Sequence, residues 1–182
     1  MGTREDLLAA AKQCLAERGY ARTTVRDIVA ASGTNLAAIN YHFGTRDKLM
    51  NQAMVESSAT AVQQILDSLP TGASADRLRT FLTRLTASFT ENPSLWTANA
   101  ESFTQAVHTP GVRAELGAAQ ERARRELSES FGPPTEDHAV GTVLQTLIGG
   151  LLIQWLIDPE HAPAPDTVVA GLRALVGQLP PD

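Results

Sequence analysis

Cysteine is almost absent from this chain. Cys14 is the single copy in 182 residues, so an intramolecular disulfide cannot form and a zinc site built on cysteines is excluded. Such usage fits a reducing, cytoplasmic setting. Proline is missing up to Pro70 and then occurs ten times, which leaves helix-sized stretches between proline punctuation. No segment keeps a two-residue alternation rich in β-branched side chains, so no strand is expected. The most apolar run, Val143 to Ile157, is broken by Gln145, Thr146, Gly149, Gly150 and Gln154. It is also shorter than the roughly 20 residues of a membrane span. The amino end reads Met1-Gly2-Thr3-Arg4-Glu5-Asp6, without the apolar stretch of a secretory signal. A cytoplasmic protein with no membrane partner is expected.

Catalytic patterns are missing too. His42, His108, His138 and His161 lie far apart and have no metal-ligand spacing. There is no Gly-x-Ser-x-Gly elbow, no glycine loop for phosphates and no histidine paired in sequence with Cys14. Glu101 and His108 lie about two helical turns apart, a spacing common by chance. The expectation is no enzyme, no catalytic residue, no metal and no cofactor. The formal net charge is −5, which at first argues against nucleic acid. Yet residues 1–50 carry seven Lys and Arg against five acids, so the remainder carries eight bases against fifteen acids. A mildly basic head on an acidic body suits a protein that meets phosphates at one end.

The chain does contain a succession of helical segments. The first, about 4–18, places Leu7, Leu8, Ala11, Cys14 and Leu15 on one face and ends at Gly19. Thr24 and Asp27 are spaced as a capping box for a short helix that Gly33 ends, with Val25, Ile28 and Val29 inward. Asn35 suits the N-cap of another, about 36–42, and Thr45 that of a long one, about 46–68. Five more follow near 74–91, 94–107, 111–131, 136–158 and 166–179. The fold class is all-α: a three-helix head, residues 1–48, and a six-helix body, residues 49–182.

Two short helices joined by a tight glycine turn, the second one N-capped, form a helix-turn-helix. The first braces the second, whose N-terminal side chains enter the major groove of DNA. Ala30 and Ala31 are small where the two helices are expected to approach. Ile39 and Phe43 point into the head core, and Leu36, Ala37, Asn40 and Tyr41 form the opposite face with His42 beside them.

Over these residues the chain resembles the tetracycline-repressor (TetR) family. The likeness runs from Thr24 to Gly33, through Asn35 to Phe43, and on through Gly44-Thr45-Arg46-Asp47-Lys48-Leu49. The Tyr41-His42-Phe43 triplet is especially typical. The match is specific over residues 4–50 and architectural beyond. It implies a ligand-responsive transcriptional regulator, by family default a repressor, that binds a double-stranded DNA operator as a homodimer. Thr24, Tyr41, His42 and Arg46 match phosphate-contacting positions, and Lys48 is a secondary candidate. Leu36, Ala37 and Asn40 match positions that reach base edges. The commoner pattern has glycine or proline near 37, threonine at 38 and tyrosine at 40, where this chain has Ala37, Ala38 and Asn40. The operator sequence therefore stays open, although an Asn40–adenine pair would supply about 1–3 kcal/mol of discrimination.

The last two helices suit a homodimer. Val140, Leu144, Leu147, Leu151 and Trp155 form one stripe, and Val143, Gly150, Ile153 and Ile157 a second. A helix apolar on two faces must bury both, one in its own subunit and one against a partner. The helix at 166–179 adds Val168, Val169, Leu172, Leu175, Val176 and Leu179. A small, mostly apolar effector is expected among Phe81, Phe89, Trp96, Phe103, His108 and Trp155, with Asn99, Glu101, Gln105 and Gln145 as further polar anchors. A competing reading is a helical adaptor that keeps the fold without binding DNA. Retention of Tyr41, His42, Arg46 and Lys48 argues against it.

Overall fold

Gly19, Gly33 and Gly44 end the first three helices, and proline opens three of the later ones, so helix punctuation follows local chemistry. The computed structural model describes residues 2–71, 74–132 and 138–178, which form nine helices and no strand. In chain order they are α1 (Thr3–Arg18), α2 (Val25–Ser32), α3 (Leu36–Phe43), α4 (Arg46–Asp67) and α5 (Ser74–Glu91). There follow α6 (Pro93–His108), α7 (Pro110–Phe131), α8 (Ala139–Ile157) and α9 (Pro165–Val176). The expected limits at 136 and 179 lie outside the described residues.

Packing divides the chain into two compact units. One comprises Met1–Ala61 with Asn92–Glu121, the other Val62–Glu91 with Arg122–Asp182. Helices α4 and α7 each run from one unit into the other. The division by compactness thus groups α6 with the three-helix head and differs from the division expected at residue 48.

In the first unit, α1 is the central helix and meets α2, α3 and α6. Leu7, Ala11 and Leu15 lie four residues apart, on one face, and are buried with Ile28 of α2, Ile39 of α3 and Leu49 and Met50 of α4. Each such Leu or Ile contributes about 1.5–3 kcal/mol by leaving water. Helix α6 supplies Ala98 to the same core. Lys12 pairs with Glu56 at 2.7 Å, and Asn99 Nδ2 donates to Ser58 Oγ at 3.1 Å.

In the second unit, α5 packs on α8 and α9. Phe81 and Phe89 are fully buried, Phe81 edge-on to Phe131 at 5.3 Å and Phe89 tilted against Trp155 at 5.7 Å. Gly141 lets α8 approach α7 closely: a Cβ there would sit 1.8 Å from the Arg124 carbonyl oxygen. The bare backbone instead donates from Gly141 N to Ser128 Oγ at 2.8 Å. Leu144, Leu151 and Leu152 of α8 are buried, whereas Val143, Gly150, Ile153 and Ile157 are exposed. Helix α8 has the length and composition to cross a membrane, and it packs on α5 and, at Gly141, on α7.

Candidate nucleic-acid interface

The helix-turn-helix is assembled from short-range bonds. Thr24 N donates to Asp27 Oδ2 at 2.8 Å, and Asp27 N donates to Thr24 Oγ1 at 3.3 Å, a reciprocal cap on α2. The Thr24 hydroxyl also donates to Asp27 Oδ2 at 2.7 Å. These bonds hold the Asp27 carboxyl below the usual aspartate range, with burial opposing and Arg18, 2.6 Å away, adding to the effect. Gly33 closes α2 with φ +65°, a left-handed conformation that side chains disfavour. Asn35 Oδ1 then accepts from Ala38 N at 3.0 Å and starts α3.

Ile39 and Phe43 hold α3 against the core and leave its other face outward. Leu36 is 53% exposed and Tyr41 85% exposed, with Ala37 and Asn40 exposed beside them. Tyr41 stands edge-on to His42 at 4.9 Å, and His42 is half-buried. Thr24 and Lys48 are also exposed, near the starts of α2 and α4. Bulky groups displayed on a helix rather than buried are the arrangement a groove-reading element requires. Ala30 and Ala31 are exposed, which corrects their expected place at the approach of α2 and α3. Both helices meet α1, so each is positioned through that shared neighbour.

Arg46 is engaged differently from a free phosphate ligand. Its Nε donates to Thr23 O at 3.1 Å, and Nη2 donates to the same oxygen at 2.6 Å and to Tyr20 O. Nη1 donates to Asp47 Oδ1 at 2.6 Å, and the guanidinium lies over the Tyr20 ring, 4.8 Å from its centre. The planar fork thereby ties the start of α4 to the α1–α2 loop. Tyr20, which sequence reasoning passed over, completes this brace. Its hydroxyl faces Gln105 Oε1 at 3.3 Å and Asp47 O at 3.5 Å, both long for a hydroxyl donor. Burial pushes its titration above the usual tyrosine range. An aromatic residue directly after the helix-ending Gly19 was the available signal.

The six effector candidates are divided between the two compact units. Phe81, Phe89 and Trp155 belong to the second unit, where their rings pack on aromatic neighbours. Trp96, Phe103 and His108 belong to the first, with Trp96 buried and His108 exposed. Phe103 lines an open cleft between α6 and α7. Of the polar anchors, Asn99 is bonded to Ser58, Gln105 to Tyr20 and Gln145 to Arg124, while Glu101 is exposed. Among the described residues, no group of three His, Cys, Asp or Glu side chains is placed to hold a metal ion.

A short braced helix, N-capped and displaying its outer face beside exposed Thr24 and Lys48, defines the head as a DNA-binding helix-turn-helix. Family models agree: residues 7–53 match bacterial regulatory proteins of the tetR family, and residues 74–180 match the C-terminal domain of BetI-type transcriptional repressors. The chain belongs to the TetR family of transcriptional regulators. It is 32% identical over 68 residues to the HTH-type transcriptional repressor AcnR of Corynebacterium efficiens, covering 37% of this chain and 36% of that protein. The chain thus spans about a third of the length of that curated relative. A putative transcriptional regulator from Rhodococcus sp. RHA1 superposes with a TM-score of 0.76 at 15% identity, over 97% of this chain and 96% of the other. The multidrug binding protein EbrR, solved with imidazole, superposes with a TM-score of 0.70 at 18% identity, over 98% and 90%. These two structures share the fold.

Proposed function

We propose that this chain is a ligand-responsive repressor that binds a palindromic operator as a homodimer and is released by a small, mostly apolar effector. The exposed outer face of α3 carries the reading, since its Leu36, Ala37, Asn40 and Tyr41 are held outward by the burial of Ile39 and Phe43. Tyr41, His42, Thr24 and Lys48 contact phosphates and supply affinity, while Leu36, Ala37 and Asn40 meet base edges. Arg46 acts as a brace between the α1–α2 loop and the start of α4 rather than as a phosphate ligand. Function in gene regulation places the protein on DNA in the cytoplasm.

A dimer is required to read two half-sites about 34–36 Å apart. Support comes from α8 and α9, whose Val143, Ile153, Ile157, Leu175 and Val176 are large apolar side chains left exposed. Positions 143, 150 and 157 recur every seventh residue, and 153 lies between them, the pattern of a helix–helix seam. A four-helix contact between two copies buries that face. The test is fluorescence anisotropy with duplex fragments from beside the protein's own gene, titrated in salt. Log affinity is expected to fall linearly with log salt, by about 0.9 per phosphate neutralised. Binding that ignores salt, or no binding to any fragment, overturns the reading.

A further inference from the structure

Helix α6 and the first half of α7, both in the first unit, border an open cleft of about 370 Å³ whose lining includes Phe103, Val107, Arg113, Leu116, Gly117 and Gln120. Its size falls within the range of roughly 300–1,000 Å³ that holds small ligands. Gly117 gives it room, since a Cβ built there meets nothing within 4 Å. A glycine inside a helix is unfavourable relative to alanine. Val107 is 63% exposed, an apolar side chain at the rim with no cover.

Arg113 is the charged residue of this lining. Its Nε donates to Ala106 O at 3.1 Å and its Nη2 to Val107 O at 2.6 Å, which fixes the guanidinium at the end of α6. Among the described residues no acceptor faces Nη1 and no carboxylate pairs with Arg113. A held cation beside an apolar wall selects an anion with an apolar body, because the donors are already oriented and the chain leaves water. We propose that this cleft binds a small amphipathic monocarboxylate, its apolar chain against Phe103, Val107 and Leu116 and its carboxylate on Arg113. The inference rests on the effector-responsive reading and names the class of effector.

The test is isothermal titration of the full chain with sodium octanoate, and with octanol and octylammonium as matched probes. Octanoate is expected to bind at least about tenfold more tightly than octylammonium. Gly117→Leu, which fills the cleft with a better helix former, is expected to weaken octanoate binding about tenfold or more. Arg113→Gln is expected to abolish the preference for octanoate over octanol. Thermal unfolding checks each variant, and Val107→Glu, at an exposed position, sets a competing carboxylate beside Arg113 and is expected to weaken octanoate binding about tenfold. No octanoate binding, equal binding by Gly117→Leu, or tighter binding of octylammonium overturns the proposal. Operator binding is measured separately on the same preparation. A chain that binds operator and ignores octanoate defeats the cleft proposal alone, and one that binds octanoate but no DNA defeats the repressor reading alone.

Discussion

Arg46 is tied into the reading head by bonds within the chain. Its donors are directed to Tyr20 O, Thr23 O and Asp47, and its side chain is only 20% exposed. Removing it leaves two backbone carbonyls without their charged donor. Arg46→Ala is therefore expected to cost about 2 kcal/mol in thermal or denaturant unfolding. Arg46→Lys is expected to restore little of this, since a point ammonium cannot reproduce a planar fork over the Tyr20 ring. Full recovery of stability by lysine would contradict the brace. The sequence alone could not separate the two roles. A basic residue in the first turn of a helix after a Tyr-His-Phe triplet looks the same whether it faces phosphate or folds back on a loop. The deciding partners are Tyr20 and Thr23, more than twenty residues away. The outward placement of Tyr41 and Asn40 was legible because the burial of Ile39 and Phe43 dictates the opposite face of an eight-residue helix.

Among the elements, α2 depends most on a charged cap. Asp27 is held deprotonated by Thr24 and Arg18, so its folded titration lies below the unfolded one. The sign is that of a depressed carboxylate: its stabilisation is present above the unfolded aspartate range and lost as pH falls through the folded value. Circular dichroism melts are expected to show that Asp27→Asn narrows the stability difference between neutral and acid pH. An unchanged pH profile in that variant would remove Asp27 from the account. Helix existence and caps were readable because Thr24, Asp27, Gly33 and Asn35 act over three or four residues. What Ala30 and Ala31 meet was not readable, since small residues suit both a close approach and a solvent face. Tertiary packing through α1 placed them in solvent.

For the whole molecule, the question is what covers α8 and α9. The inner stripe of α8 was predictable from spacing and is buried at Leu144 and Leu151. The outer stripe of Val143, Gly150, Ile153 and Ile157 stays exposed in one chain. Gly150 stands at its centre, and a Cβ there meets nothing within 4 Å. Gly150→Trp thus leaves the single chain unperturbed and wedges a second copy away. Sedimentation is expected to show the wild type as a dimer and this variant as a folded monomer with much weaker operator binding. A dimeric Gly150→Trp chain would place the interface elsewhere. The six effector candidates read from aromatic spacing fall in both units, and aromatic side chains at helical intervals serve core packing as readily as ligand contact. Phe81 on Phe131 and Phe89 on Trp155 do the former. The cleft between α6 and α7 is bounded by Gly117 and by Arg113 folded onto α6, neither of which has a periodic signature.

The central claim, that α3 reads DNA through an affinity layer and a specificity layer, is tested most directly by paired variants. Operator and scrambled duplexes are titrated with wild type, Tyr41→Ala and Asn40→Ala at several salt concentrations. Tyr41→Ala is expected to weaken binding to both duplexes alike. Asn40→Ala is expected to leave scrambled binding and the salt slope unchanged and to lower operator preference by about 1–3 kcal/mol. Unchanged affinity and preference in both variants would contradict α3 as the reading helix.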